Sequence, residues 1–146
     1  MQSNPSLLSR SPTLQTPPEV KIAIAGQSSF PIAITRAIAH WDVSTSRGHV
    51  FLVPSLGGEA IDALHQRLYH GALRSHRRPE IPYIPHVTIA QKTSRAGCVE
   101  LSDALSRTCR RIDAAIAQVH VVSVTTDAVT SVRVFDLERP GLGTPA

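Results

Sequence analysis

The sequence predicts an α+β fold in a single domain. Three observations predict it. Apolar residues make up 42% of the 146-residue chain, enough at this length to bury a core without disulfides or a structural metal. The richest apolar windows, Val20–Ala25 and Val119–Val124, are the length of strands, and none approaches the run of about 18 that a membrane span requires. Between such windows lie two stretches with apolar residues at helical spacing, so both element types contribute.

Residues 1–18 hold four Pro and four Ser and no acidic residue, which reads as a flexible leader before a domain over 19–138, with 139–146 a tail. Thr16-Pro17-Pro18-Glu19 fits an N-cap, a Pro in the first turn and a capping-box Glu. Val20-Lys-Ile-Ala-Ile24 alternates like a strand, so this segment stays open between the two. Phe30, Ile32 and Ile34 fall on one face and Thr35, Ala37 and Ala39 on the other, a strand that runs to Trp41. His49–Pro54 is a second short strand across the Ser- and Gly-bearing loop Asp42–Gly48, which makes a hairpin. Gly57-Gly58 then opens a helix over Glu59–Leu73, whose apolar face is Ile61, Leu64 and Leu68. Arg74–Pro85 is basic and punctuated by Pro79, Pro82 and Pro85, a loop long enough to carry function. A strand, His86–Gln91, follows. Leu101, Leu105, Cys109 and Ile112 predict a helix over Val99–Ala115, and Val119–Thr125 and Ser131–Leu137 close the chain as two strands.

Cys98 and Cys109 form no C-x-x-C pair and have no histidine at zinc spacing, so neither a disulfide framework nor a zinc ribbon is indicated. With no apolar signal segment at the N-terminus, a reducing cytoplasmic location is the expectation. The formal charge is +4, too small by itself to indicate a nucleic-acid partner, but Arg74-Ser-His-Arg77-Arg78 is a dense basic cluster. Arg77 and Arg78 are candidates for contact with a phosphate backbone, against the commoner role of a solvated charge run. Tyr83 is a candidate for stacking on a base, or packs under the loop. His65 and His120 read as packing residues. Gly26-Gln-Ser-Ser-Phe lacks the last Gly of a nucleophile elbow and Gly141-Leu-Gly sits in the tail, so neither a serine hydrolase nor a dinucleotide site is indicated.

The segment Ile81-Pro-Tyr-Ile-Pro-His-Val-Thr-Ile-Ala90 is the most informative. On a strand, His86 and Thr88 project from one face while Val87 and Ile89 anchor the other. An imidazole moves protons near neutral pH, and a hydroxyl two residues along can donate to a phosphoryl oxygen held beside it. The three runs Gly48–Ser55, Ala63–Gly71 and Ile81–Ala90 resemble the 2H phosphoesterase superfamily, and more narrowly the bacterial 2'-5' RNA ligase family, over about residues 30–137.

The resemblance implies a two-lobed architecture of antiparallel sheets with helices packed on the outer faces, the first lobe incomplete here. It implies a phosphoesterase acting on 2'-5' or 2',3'-cyclic phosphodiesters of RNA or nucleotides, with neither metal nor cofactor. His86 would be an acid/base and Thr88 its phosphate ligand, and Lys92 stands where relatives often carry Arg. That family carries two H-x-[TS] motifs, and among the seven histidines of this sequence only His86-Val-Thr88 has the pattern. The expectation is that the other motif is encoded upstream of Met1 or was lost. The alternative reading is a non-catalytic remnant that binds a nucleotide or RNA.

Overall fold

The computed structural model describes residues 18–141; the leader up to residue 17, and the tail beyond 141, lie outside the described residues. In chain order the elements are α1 (Pro18–Ile24), β1 (Phe30–Asp42), β2 (Arg47–Leu56), α2 (Gly58–Leu68), a 3-10 turn (Ala72–His76), β3 (Val87–Lys92), α3 (Arg95–Thr108), β4 (Ile112–Ile116), β5 (Gln118–Val124) and β6 (Val129–Asp136). β3, β2, β1 and β4 form one antiparallel sheet in that order, and β5 and β6 form a second, two-stranded one. The fold is α+β, as the sequence predicts.

The β1–β2 hairpin is the spine. Its strands extend further than their apolar runs, to the pair Asp42–Arg47, so the connection shrinks to four residues. The Asp42 carboxylate accepts hydrogen bonds from the Ser44 N–H and from the hydroxyls of Ser44 and Thr45, at 2.8, 2.6 and 2.9 Å. These bonds favour its ionised form and lower its pKa to about 2.

Alternation along β2 sends Val50 and Leu52 to one face of the sheet, where α3 covers them. There Ala37, Val50 and Cys98 form a core, with Leu101, Leu105 and Ala90 packed around it. α3 starts at Ser94, whose hydroxyl accepts the Gly97 N–H at 3.1 Å, an ordinary N-cap. Pairing of β1 with β4 stops at Ile34. Further along β1, Ser106 of α3 bonds both the N–H and the C=O of Ala37 at 3.0 Å, so the backbone groups that Ala37 turns away from β2 are satisfied. Gly48 permits this approach: a Cβ there would run into the Cys98 sulfur.

A second core lies around Ile24 of α1, Leu64 of α2 and Leu137, flanked by Phe30, Ile116, Val119 and Phe135. It seats α1 and α2 and the base of the β5–β6 hairpin. Gly57, at φ +81, starts α2, and a Cβ there would stand 2.5 Å from the Pro31 carbonyl. Both the left-handed backbone and the lack of space require glycine.

Several boundaries depart from the sequence expectation. The segment left open after Pro18 is helical. The helix expected over Val99–Ala115 ends at Thr108, because Ile112, Ala114 and Ile116 pair as a strand with Ile34, Ile32 and Phe30; Ile112 fits both periods, and the free side of β1 decides between them. The helix expected over Glu59–Leu73 ends at Leu68, interrupted by Gly71 at φ −137, ψ −128, and the basic loop begins as a 3-10 turn. The strand expected from His86 begins at Val87. Val87 and Ile89, expected as anchors, are 53% and 41% exposed, because β3 is an edge strand and α3 reaches only as far as Ala90.

Replacing Gly48 by Ala is expected to destabilise the chain by about 1–3 kcal/mol, since the sulfur it meets is fully packed. Gly71→Ala, which meets nothing within 4 Å, should stay within about 0.5 kcal/mol. Urea midpoints of the two variants measure the difference.

Candidate active site

The face of the sheet turned away from α3 carries the polar chemistry. His40 of β1 pairs with His49 of β2, and Phe51 of β2 pairs with Thr88 of β3, so these four share that face. Phe51 is the platform. The His86 ring lies against it at 3.7 Å between centroids and 20° between planes, His40 at 5.3 Å and 17°, and His49 at 5.9 Å and 27°.

His86 is delivered to Phe51 by the segment Ile81–Pro85. Pro82 and Pro85 bias the residues before them to extended backbone, and the chain enters β3 already straight. Nδ1 of His86 stands 2.5 Å from the Ile84 carbonyl oxygen. A carbonyl only accepts, so Nδ1–H is the donor, and in the neutral ring Nε2 carries the free lone pair.

The same segment is fastened to α2. Tyr83 lies face to face with His65 at 3.7 Å and 4°, and Tyr69 closes on His65 from another side at 4.8 Å. Burial lowers the His65 pKa from 6.5, opposed by the Asp62 charge and helped by Arg77. Burial likewise raises the Tyr83 phenol, with the Asp62 charge adding to it. Between this stack and the sheet opens a cleft of about 570 Å³ whose walls include His40, Phe51 and His86 of the sheet side, Asp62 and His65 of α2, and His76, Arg77 and Arg78 of the loop.

Of the residues singled out from the sequence, the fold brings His86, Tyr83, Arg77 and Arg78 to this one cleft. Thr88 is exposed, two residues along from His86 and opposite Phe51, beside the cleft and not in its wall. Lys92 pairs with Gly48 at the other end of β3, on the face toward α3. Arg78 is held by Glu80 at 2.9 Å in an exposed ion pair, which is worth little to stability but leaves less of its charge for the cleft. His40, Phe51 and His76 were not singled out. His40 sits in an alternating strand next to Trp41, and only the register of β1 against β2 shows which of the two faces the cleft. Among the described residues no three His, Cys, Asp or Glu side chains are grouped to hold a metal.

A four-stranded antiparallel sheet, α3 on one face and a histidine- and arginine-lined cleft between the other face and α2 are consistent with the 2H phosphoesterase fold. The chain belongs to the 2'-5' RNA ligase superfamily, whose profile matches residues 12–128. No curated protein matches it. Among the described residues no helix is long and apolar enough to cross a membrane.

The His65–Tyr83 stack gives a pH prediction. The unfolded chain takes up the His65 proton at about 6.5 and the folded chain only at lower pH. Unfolding therefore binds a proton in that window, and stability falls as pH drops through it. His65→Phe keeps an aromatic partner for Tyr83 and should flatten that part of the fall, read from melting temperatures of the two proteins between pH 7.5 and 5.5.

Proposed function

We propose that the chain acts on 2',3'-cyclic or 2'-5' phosphodiesters of RNA or nucleotides, with His86 as the group that moves the proton. The observation that carries this reading is the hold on the His86 ring: Nδ1 meets the Ile84 carbonyl oxygen and the ring lies on Phe51, which leaves Nε2 as a base beside a cleft bordered by arginines. Family membership supports the substrate class.

In hydrolysis of a cyclic phosphate, water attacks phosphorus and its proton passes to Nε2. The P–O bond to the ribose breaks on the opposite side, and the departing oxygen takes a proton from a second acid. His40, His65 and His76 border the same cleft; His65 is taken up by its stack on Tyr83, which leaves His40 and His76 as candidates for that acid. The Thr88 hydroxyl, next along the strand on the Phe51 face, donates to a non-bridging oxygen of the phosphate as the substrate settles over Phe51. Lys92, at the far end of β3, takes no part in this reading. The cytoplasmic location expected from the cysteines suits an RNA substrate. The alternative, binding without turnover, draws on the single H-x-[TS] motif in the sequence.

Turnover of a 2',3'-cyclic nucleotide tests this directly. His86→Ala should lower the rate by about 10²–10⁴-fold, with the melting temperature reported beside it to show that the variant folds. Equal rates in the two proteins would end the assignment of His86. Nucleotide binding with no turnover in either protein would favour the alternative.

A further inference from the structure

The cleft at His86 does not end at the basic loop. A second cleft of about 690 Å³ is lined by Tyr69, His70, Gly71, Arg74, Arg77 and Pro79. Tyr69, Arg77 and Pro79 border both, so the two adjoin at Arg77. No acidic side chain lines the second one.

The 3-10 turn sets the spacing of its charges. The Arg74 N–H bonds to the Gly71 carbonyl at 3.0 Å and the Arg77 N–H to the Arg74 carbonyl at 3.1 Å. A repeat of three residues places Arg74 and Arg77 on one side of the turn, separated by about 6 Å along its axis. That is close to the separation of successive phosphates in a nucleic-acid strand. Neither guanidinium has an ion-pair partner among the described residues, whereas Arg78, on the neighbouring position, is tied to Glu80. Tyr69, at the junction, adds a ring face of the kind on which unpaired bases stack.

We propose that Arg74 and Arg77 form a second anion subsite, which takes a phosphate of the same strand away from the bond at His86, so that the substrate is an oligoribonucleotide and not a mononucleotide. This inference rests on the phosphodiester reading of the His86 cleft. Guanidinium groups suit it because they bind phosphate through paired N–H donors.

Anisotropy of a labelled hexaribonucleotide ending in a 2',3'-cyclic phosphate, with a 2',3'-cyclic mononucleotide as competitor, tests it on the full chain. The wild type is expected to prefer the hexamer by about tenfold or more, and the Arg74→Ala/Arg77→Ala double variant to lose that preference. The slope of log affinity against log salt should also fall by about 1.4, the contribution of two single-strand phosphate contacts. Arg107→Ala removes an exposed arginine on α3, and retention of the preference in it shows that net charge alone is not responsible. No preference in the wild type, a preference that survives the double variant, or equal displacement by a polyglutamate peptide of matched length would each overturn the subsite. Arginine-dependent hexamer binding without hydrolysis would uphold the subsite and remove the catalytic reading of His86. Hydrolysis that depends on His86 without any hexamer preference would do the reverse.

Discussion

The register of β1 against β2 is the constraint on which the rest depends. Strand side chains alternate, so a slip by one residue would turn Phe51 and His49 under α3 and expose Val50, which is fully buried as the sheet stands. The correct register is held at two places. The Asp42 carboxylate closes the turn with three short bonds, and Gly48, five residues beyond Val43, leaves room for the Cys98 sulfur that seats α3. A covered face on one side of the sheet thereby creates an open, polar face on the other.

Everything that gives the open face its chemistry is fixed by groups that do not themselves move protons. Phe51 supplies a flat surface against which an imidazole can stand without rotating. The Ile84 carbonyl selects the tautomer. The prolines at 82 and 85 limit the backbone that carries His86, and the stack of Tyr83 on His65 ties that backbone to α2. On the proposed reading, His86 held in this way loses little freedom when a substrate arrives, which is the condition under which positioning contributes to rate. The loop beyond extends the positive border, and its 3-10 turn converts a run of arginines in sequence into a pair on one side.

How much of this the sequence discloses depends on the range over which each feature is decided. The class of fold, the start of α2 at Gly57-Gly58 and the strand after Pro85 follow from local signals: periodicity, glycine, proline. β4 does not, because Ile112 satisfies a helical and a strand period equally and only the unpaired side of β1 resolves it. His86 was legible because its motif is contiguous, and Tyr83, Arg77 and Arg78 because they precede it. His40 and Phe51 belong to the same cleft through pairing across two strand boundaries, which no local pattern encodes. Arg74 needed the three-residue repeat of a turn that read as plain loop. Thr88, adjacent in the motif, proved less close to the cleft than residues dozens of positions away.

The proposed role of His86 depends on Nε2 being the free nitrogen of its ring. Nitrogen chemical shifts of the His86 ring, recorded on labelled protein with His86→Gln to assign the signals, measure it most directly. A protonated Nδ1 and a lone-pair Nε2 are expected in the neutral ring. A proton on Nε2, with Nδ1 bare beside the Ile84 carbonyl, would contradict it.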